Sequence, residues 1–222
     1  MDFAPVILQV IISVIPILFA IILHEVSHGF VAEKLGDPTA RRMGRLTLNP
    51  IAHIDPFGTV IMPIALFIFT NGQFVFGYAK PVPINPFNFR NPKRDMAISA
   101  AAGPGINILL AVLSVLVLKY LLLPVSGVIP DEVTGTFLKP LALMLSANVS
   151  VNVILAAFNL IPVPPLDGGR ILMGLLPQRQ AEIVGRIEPY GMIVVILLVA
   201  TGLTRVIVLP VIRLIMHVLE LL

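Results

Sequence analysis

Residues 20–29 read Ala-Ile-Ile-Leu-His-Glu-Val-Ser-His-Gly, and they close an apolar run that begins near Val6. On a helix, His24 and His28 lie one turn apart on the same face, so their ring nitrogens can bind one metal ion, normally zinc. Glu25 stands beside the first of these residues and is placed to act as a general base on water. The alternative is a pair of structural histidines that hydrogen-bond to neighbouring groups. Ionisable groups beside a membrane span are costly and usually functional, which favours the metal site.

The composition is that of an integral membrane protein. Of the 222 residues, 57% are hydrophobic and 12% are charged, and the mean hydropathy is +0.99. The sequence has no cysteine, which excludes disulfides, a thiolate nucleophile and a cysteine-bound zinc site. The net charge of +3 comes without a basic cluster interleaved with aromatic residues, so we expect no nucleic-acid partner. The first apolar run carries the histidine motif and lacks a preceding basic region, so we expect a retained span.

The apolar runs predict an α-helical integral membrane protein with about five to six membrane segments and a small membrane-associated β region. Predicted helical segments cover residues 6–35, 96–123, 141–161, 187–203 and 206–222, with a short helix at 170–176. Phe57–Thr70 is about fourteen residues long, which predicts a re-entrant or tilted segment. Partial alternation over Ala40–Leu48 and the run Gln73–Tyr78 predict short strands.

The distribution of charge predicts an orientation. Basic residues gather in 37–56, 90–94 and 170–186, whereas the loop at 124–140 is slightly acidic. The positive-inside tendency places the three basic regions in the cytoplasm. The first span and the 141–161 span then both run inward, which predicts that the histidine motif and Asp167 lie at the cytoplasmic side of the membrane.

A catalytic zinc site takes three protein ligands and keeps one open position. The candidates for the third ligand are Asp167, His53, Asp55 and His217. Asp167 is favoured because it follows a proline-rich helix break, and Gly168-Gly169 lets the backbone approach closely. The alternative for Asp167 is an ordinary Asp-Gly turn. His53 is predicted to be structural or to support a ligand, because a fourth protein ligand would close the site.

Three ordered blocks make the chain resemble the site-2 protease family of intramembrane zinc metalloproteases. The blocks are His24-Glu25-Val26-Ser27-His28, Gly103-Pro104-Gly105-Ile106-Asn107, and Asn159-Leu160-Ile161-Pro162 through Leu166-Asp167-Gly168. The resemblance implies one Zn²⁺ per chain bound by His24, His28 and Asp167, with Glu25 as the catalytic base. It also implies peptide-bond hydrolysis in transmembrane substrates, as in regulated intramembrane proteolysis, and a β region between the first two blocks.

Asn159 and Asn107 are further candidates for catalytic residues, because their amides can donate hydrogen bonds to a substrate carbonyl or to the oxyanion. The alternative is hydrogen bonding between membrane helices. That alternative is favoured for Asn107, and the two readings are evenly balanced for Asn159. Asn148 and Asn152, four residues apart, are predicted to be helix–helix contacts.

We expect one membrane-embedded peptidase domain over residues 1–222, with a core at about 6–175 and C-terminal helices at about 183–222. The expected partners are the lipid bilayer, single-span membrane protein or peptide substrates, and a regulatory partner of unknown identity. One alternative is a metal-dependent membrane hydrolase of non-peptide substrates. Another is a non-catalytic metal-binding membrane scaffold or transporter, against which stands the gathering of polar groups on one side of the membrane.

Overall fold

A computed structural model describes residues 4–72 and 77–222, and within these ranges the chain is helical and contains no strand. The α-helices are α1 (Ala4–Lys34), α2 (Thr39–Arg42), α3 (Met62–Phe69), α4 (Pro92–Val117), α5 (Leu123–Ser126), α6 (Asp131–Val133), α7 (Lys139–Asn159), α8 (Asp167–Leu175), α9 (Gln178–Gly185), α10 (Gly191–Ala200) and α11 (Leu203–Glu220). Turns of 3₁₀- or π-helix occupy Pro50–His53, Pro56–Ile61, Pro86–Asn88, Leu118–Leu122, Thr134–Leu138 and Glu188–Tyr190.

Four helical stretches among the described residues are long and apolar enough to cross a membrane. They are Ile7–Lys34, Pro92–Ser126, Asp131–Asn159 and Gln178–Ala200. Large apolar side chains such as Phe19 and Leu113 are exposed on them, as expected where lipid covers a helix. Pro56–Phe69 is apolar but shorter, in agreement with its predicted length, and α11 carries three charged residues. The prediction of a helical protein with several spans is therefore confirmed for four of the expected five to six segments.

The centre of the fold consists of α1, α4 and α7, which pack against one another in all three pairs. Small residues lie where they meet: Ala20, Ala111 and Ala156 are each fully buried. Because apolar side chains gain little by leaving lipid, close approach of such helices depends on small residues and on hydrogen bonds between them. The short helix α8 packs on α4, and α11 packs on α7.

The predicted β region is not found in the described residues. The strand over Ala40–Leu48 is wrong, because α2 and a turn occupy this part of the chain. Its alternation was only partial, and the Asp37 carboxylate accepts hydrogen bonds from the Thr39 N–H and hydroxyl, which bends the chain into a turn. In the predicted strand Gln73–Tyr78, residues 73–76 lie outside the described residues. Residues 77–85, termed the strap here, have no regular secondary structure.

Asp37 joins the end of α1 to the segment that precedes α4. Its buried carboxylate accepts hydrogen bonds from the Asn85 N–H and the Asn88 side-chain amide, each at 2.7 Å, in addition to those from Thr39. Burial by itself would raise the pKa of Asp37. The hydrogen bonds from Asn88, Thr39 and Asn85 outweigh burial and lower the pKa below its usual value.

We expect Asp37→Asn to destabilise the protein at neutral pH by about 2 kcal/mol, as for a lost hydrogen bond to a charged group. Because folding lowers the pKa of Asp37, its stabilisation is complete above the unfolded-state pKa of about 4. It is lost as the pH falls through the folded-state pKa. Thermal unfolding of wild type and variant in detergent, at neutral and at acid pH, measures the difference. An equal gap at both pH values would contradict this origin.

Candidate metal centre

Three buried side chains from α1 and α8 bring their metal-binding atoms together. Nε2 of His24 lies 3.1 Å from Nε2 of His28, and Oδ2 of Asp167 lies 3.2 Å and 3.3 Å from these two nitrogens. Within residues 4–72 and 77–222 they form the one group of three or more such residues whose donor atoms all lie within 4.8 Å of one another.

The other ring nitrogens show which atoms face the centre. Nδ1 of His28 lies 2.8 Å from the Ser99 carbonyl oxygen, which only accepts, so this nitrogen carries a hydrogen and donates it. Nδ1 of His24 lies 2.6 Å from Oδ1 of Asn107 and donates in the same way. Both Nε2 atoms therefore present lone pairs to each other and to Asp167 Oδ2, which is buried without a hydrogen-bond partner.

A cation or an additional proton among these three atoms removes the repulsion between their lone pairs, which burial would otherwise make costly. Two imidazoles and one carboxylate form a donor set of the kind that holds catalytic zinc and leaves a fourth position for water. The residues present thus fit a zinc ion. The hydrogen bonds at Nδ1 are the outer contacts that usually orient metal-binding histidines.

Gly103 of α4 lies directly against the two imidazoles. A Cβ added there would lie 2.4 Å from His28 Nε2 and 2.5 Å from His24 Cε1, closer than real contacts allow. The absence of a side chain at residue 103 therefore leaves the space in which the ring nitrogens face each other. At Gly105, one half-turn further along α4, an added Cβ would meet nothing within 4 Å.

A close backbone contact also carries Asp167 into the centre. The first turn of α8 presses on the 160–164 turn, so that a Cβ on Gly168 would lie 2.3 Å from the Leu160 carbonyl oxygen. A Cβ on Gly169 would lie 2.2 Å from the Pro164 nitrogen. Any larger residue at these positions would push the start of α8, and with it Asp167, away from the 160–164 turn, which is the physical use of the Gly-Gly pair after Asp167.

Glu25 is half-buried beside His24, and one of its oxygens is held by the strap. The Val82 N–H donates a 2.8 Å hydrogen bond to Glu25 Oε2. Pro81 and Pro83 have no N–H, so Val82 provides the one backbone donor between residues 81 and 83. Arg45 fixes the strap from the other side, because its guanidinium donates to the Lys80 carbonyl at 2.7 Å.

A cavity of about 410 Å³ opens onto this arrangement. His24, Glu25 and Asn159 contribute polar groups to its wall, and the rest is largely apolar, with Phe158 and Met192 among the lining residues. The Asn159 amide nitrogen donates to the Leu155 carbonyl of its own helix at 3.0 Å. Asn159 therefore lies where a substrate could reach it.

The family model of Peptidase family M50 matches residues 12–201, a range that includes His24, His28 and Asp167. This chain belongs to peptidase family M50. The resemblance to the site-2 proteases is thereby confirmed. Together with the four apolar helices, membership of this family identifies a multi-pass membrane metalloprotease.

Several bacterial proteins are similar to this M50 chain. A Bacillus subtilis (strain 168) protein named "Putative zinc metalloprotease YwhC" is 36% identical over 197 residues, which cover 89% of this chain and 84% of the relative. Mycobacterial proteins named "Putative zinc metalloprotease Rip2" are also similar. The one from Mycolicibacterium smegmatis is 30% identical over 85% of this chain and 66% of its own length. The one from Mycobacterium tuberculosis H37Rv is 31% identical over 68% and 52%. No solved structure matches the chain.

The structure separates the two asparagines that the sequence offered as catalytic. Asn107 is fully buried, and its amide nitrogen donates to Asn152 Oδ1 at 2.7 Å and to the Ala20 carbonyl at 3.4 Å. Both of its N–H groups are therefore used within the protein, and it lies behind His24. These bonds favour the alternative of a contact between helices for Asn107, and the oxyanion role stays a prediction, for which Asn159 is the better placed of the two.

The other candidates for a third ligand lie apart from the centre of this M50 chain. His53 Nε2 donates to the Thr47 carbonyl at 2.9 Å. Asp55 caps the helical turn that starts at Pro56, accepting from the N–H groups of Phe57 and Gly58. His217 is exposed on α11. None of these three belongs to the group of metal-binding atoms found among the described residues.

Sequence reasoning missed three contributors to the centre: Ser99, Gly103 and Val82. Gly103 lies in the block Gly103-Pro104-Gly105-Ile106-Asn107, but its spacing alone does not show that it faces the imidazoles. The pattern Pro81-Val82-Pro83 is the one local signal for Val82, because it isolates a single N–H between two prolines. The Ser99 carbonyl has no signal in the sequence, since every residue carries one.

We expect Gly103→Ala to lower the zinc content of the purified M50 chain strongly, because the new methyl group would displace the imidazoles. Gly105→Ala is the matched control: it adds the same methyl group to the same helix in open space and should retain zinc. Alanine has the higher helix propensity, so neither change weakens α4 itself. Zinc per chain, measured on both variants after purification, checks this, and equal retention by both would show that Gly103 does not limit the centre.

Proposed function

We propose that this M50 metalloprotease cleaves peptide bonds of transmembrane substrates within or beside the membrane. The observation that carries the proposal is the convergence of His24, His28 and Asp167 beside Glu25, at a cavity between helices that can span a bilayer. The proposed cofactor is one Zn²⁺ per chain. The names of the Rip2 and YwhC relatives, which include zinc metalloprotease, support this cofactor.

In the proposed mechanism His24, His28 and Asp167 would hold the zinc ion. When bound, zinc polarises the substrate carbonyl and activates water. Glu25 accepts a proton from the attacking water and later delivers it to the leaving amine. The Val82 N–H holds one Glu25 oxygen, which leaves the other oxygen to move the proton. Asn159, on the cavity wall, is the proposed donor to the developing oxyanion.

A transmembrane substrate must unwind before cleavage, because every backbone group of a helix is already hydrogen-bonded. The strap offers a place to hold the unwound segment. Its Tyr78 N–H donates to the Gly58 carbonyl and its Lys80 N–H to the His53 carbonyl, at 3.1 Å and 2.9 Å. In an extended chain, the backbone groups of the residue between, Ala79, point the opposite way. We propose that this edge pairs with the substrate by β-addition.

We also propose that the site faces the cytoplasm. The support is the distribution of basic residues, which gather in 37–56, 90–94 and 170–186. The chain has no cysteine, so a single cysteine introduced in 37–56 reports its side of the membrane without background labelling. Labelling from the outside only would overturn the orientation.

The first test compares wild type with Glu25→Gln on a tagged single-span substrate in detergent, with zinc measured on both proteins. We expect cleavage to fall about 100-fold or more, because the general base is lost, while about one zinc per chain remains. Glu33→Gln is the matched control, since Glu33 lies on the same helix and pairs with Arg41 away from the centre.

Three outcomes would count against the proposal. Function retained by Glu25→Gln would favour a non-catalytic metal-binding scaffold or transporter. Zinc bound by a wild type that cuts no peptide would favour hydrolysis of another substrate class. Absence of bound zinc in wild type would return His24 and His28 to a structural role.

A second test separates the two roles of the strap by removing single N–H groups. Val82→Pro should lower kcat about tenfold or more with little change in KM, because Glu25 loses its orienting bond. Ala79→Pro should act mainly on KM, because the proposed substrate contact is lost. Ile84→Pro is the control, since the Ile84 N–H has no hydrogen-bond partner in the described part of the chain. Equal effects of the three changes would indicate general disruption of the strap.

A further inference from the structure

A chain of buried side-chain amides leads away from His24 into α4 and α7. Asn107 contacts His24 Nδ1 at 2.6 Å and Asn152 at 2.7 Å. The Asn152 amide nitrogen reaches the carbonyl and side-chain oxygens of Asn148 at 2.8 Å and 2.9 Å. The Asn148 amide nitrogen then donates to the Ser114 hydroxyl at 2.7 Å. Asn107 and Asn152 are fully buried and Asn148 is partly buried, so the part of this amide chain next to His24 is closed to solvent.

One end of the amide chain fixes the orientation of every amide in it. The Asn148 main-chain carbonyl only accepts, so Asn152 must turn its NH₂ group toward it. The Asn152 oxygen then faces Asn107, which must donate its own NH₂ group there, at 2.7 Å. The Ala20 carbonyl favours the same orientation of Asn107, but at 3.4 Å it is the weaker of the two acceptors. The Asn107 oxygen is thereby left facing His24, and the His24 Nδ1 must carry the hydrogen between them.

The two histidines differ in what orients them. His28 Nδ1 donates to the Ser99 main-chain carbonyl, which cannot reverse its polarity. His24 Nδ1 donates to a side-chain amide, and an amide can rotate by half a turn and offer its NH₂ group in place of its oxygen. With Asn107 reversed, His24 would carry its hydrogen on Nε2, the atom that faces His28 and Asp167, and could not bind a metal there.

We propose that Asn152 and Asn148 are positioning residues for the metal centre. They act through Asn107, by preventing its rotation, and so keep the hydrogen of His24 on Nδ1 and its lone pair on Nε2. This inference rests on the zinc site of the proposed function and extends it to residues of α7 that touch neither metal nor substrate. It also explains why Asn107 and Asn152 lie fully buried together in an apolar bundle, next to the partly buried Asn148.

The test measures the zinc dissociation constant of purified chains carrying Asn152→Leu, which has similar volume but no amide. We expect zinc to bind about tenfold more weakly or worse, as for loss of an outer contact to a metal ligand. Ser150→Ala is the control on α7, because the exposed Ser150 hydroxyl donates only to the Ser146 carbonyl of its own helix. It should leave the dissociation constant unchanged.

The decisive comparison repeats Asn152→Leu in an Asn107→Asp background. An aspartate accepts the His24 hydrogen whichever way it turns, so the amide chain is no longer needed. Its second oxygen would face the Asn152 oxygen, so in this background Asn152→Leu removes a repulsion and should not weaken zinc binding. Equal losses in both backgrounds, or no loss in the natural one, would overturn the proposal. A role in helix packing alone would lower the thermal stability of the metal-free protein by similar amounts in both backgrounds and leave zinc affinity unchanged.

If the Asn152→Leu chain does not fold, Asn152→Ser takes its place in both backgrounds, because serine keeps a small polar group that is too short to bridge Asn107 and Asn148. The zinc readout is independent of proteolysis. A wild type that binds zinc tightly but cleaves nothing would overturn the proposed function and leave this comparison intact. A wild type that binds no zinc would overturn both.

Discussion

The structure depends on three buried metal-binding atoms that meet at one point. His24 and His28 reach that place from a membrane-spanning helix, and Asp167 reaches it from a short helix 139 residues after His28 by chain numbering. Such a meeting is unfavourable by itself, because the three lone pairs repel one another and burial removes most of their contact with solvent. The surrounding fold must therefore hold the three residues against this repulsion. Much of the packing near the centre can be understood as meeting that requirement.

Two features of the fold hold the three residues in place: close backbone contacts and directional hydrogen bonds. Gly103 lets α4 approach the imidazoles, and Gly168 lets α8 approach the turn after α7. Both work by the absence of a side chain, so neither adds attraction of its own. The attraction comes from the bonds at the far ring nitrogens, where the Ser99 carbonyl and the Asn107 amide receive hydrogens from His28 and His24. Inside a membrane bundle, such bonds do the positioning that apolar burial cannot do.

Outside the bundle, the strap links the centre to the surface. One strap residue binds Glu25, and others are held by Arg45 and Asp37. The carboxylate of Glu25 therefore depends on a segment without regular structure, whereas His24 and His28 depend on packed helices. This difference in support suits the chemistry, because a general base must accept and release protons and must leave room for the substrate. A metal ligand, in contrast, is most useful when it does not move.

Features of the fold and the site could be predicted from the sequence where they depend on residues close together along the chain. The four spans, the helical motif of His24 and His28, and the choice of Asp167 over His53 were accessible because hydropathy, the four-residue spacing and the Gly-Gly pair are local signals. The prediction of a strand over Ala40–Leu48 was wrong for a local reason as well. The alternation of apolar and polar residues was only partial, and the hydrogen bonds of Asp37 stabilise a turn instead.

The sequence by itself determined that this is a helical membrane protein with a metal-binding motif at the end of its first span. Only the tertiary structure decided which atoms serve that motif. Val82 binds Glu25 across 57 residues of chain, and Asn107 binds Asn152 across 45. Contacts at such separations depend on how helices pack and on which way an amide turns. Helix packing and amide orientation cannot be predicted from periodicity or spacing along the chain, because both depend on the balance of contacts in three dimensions.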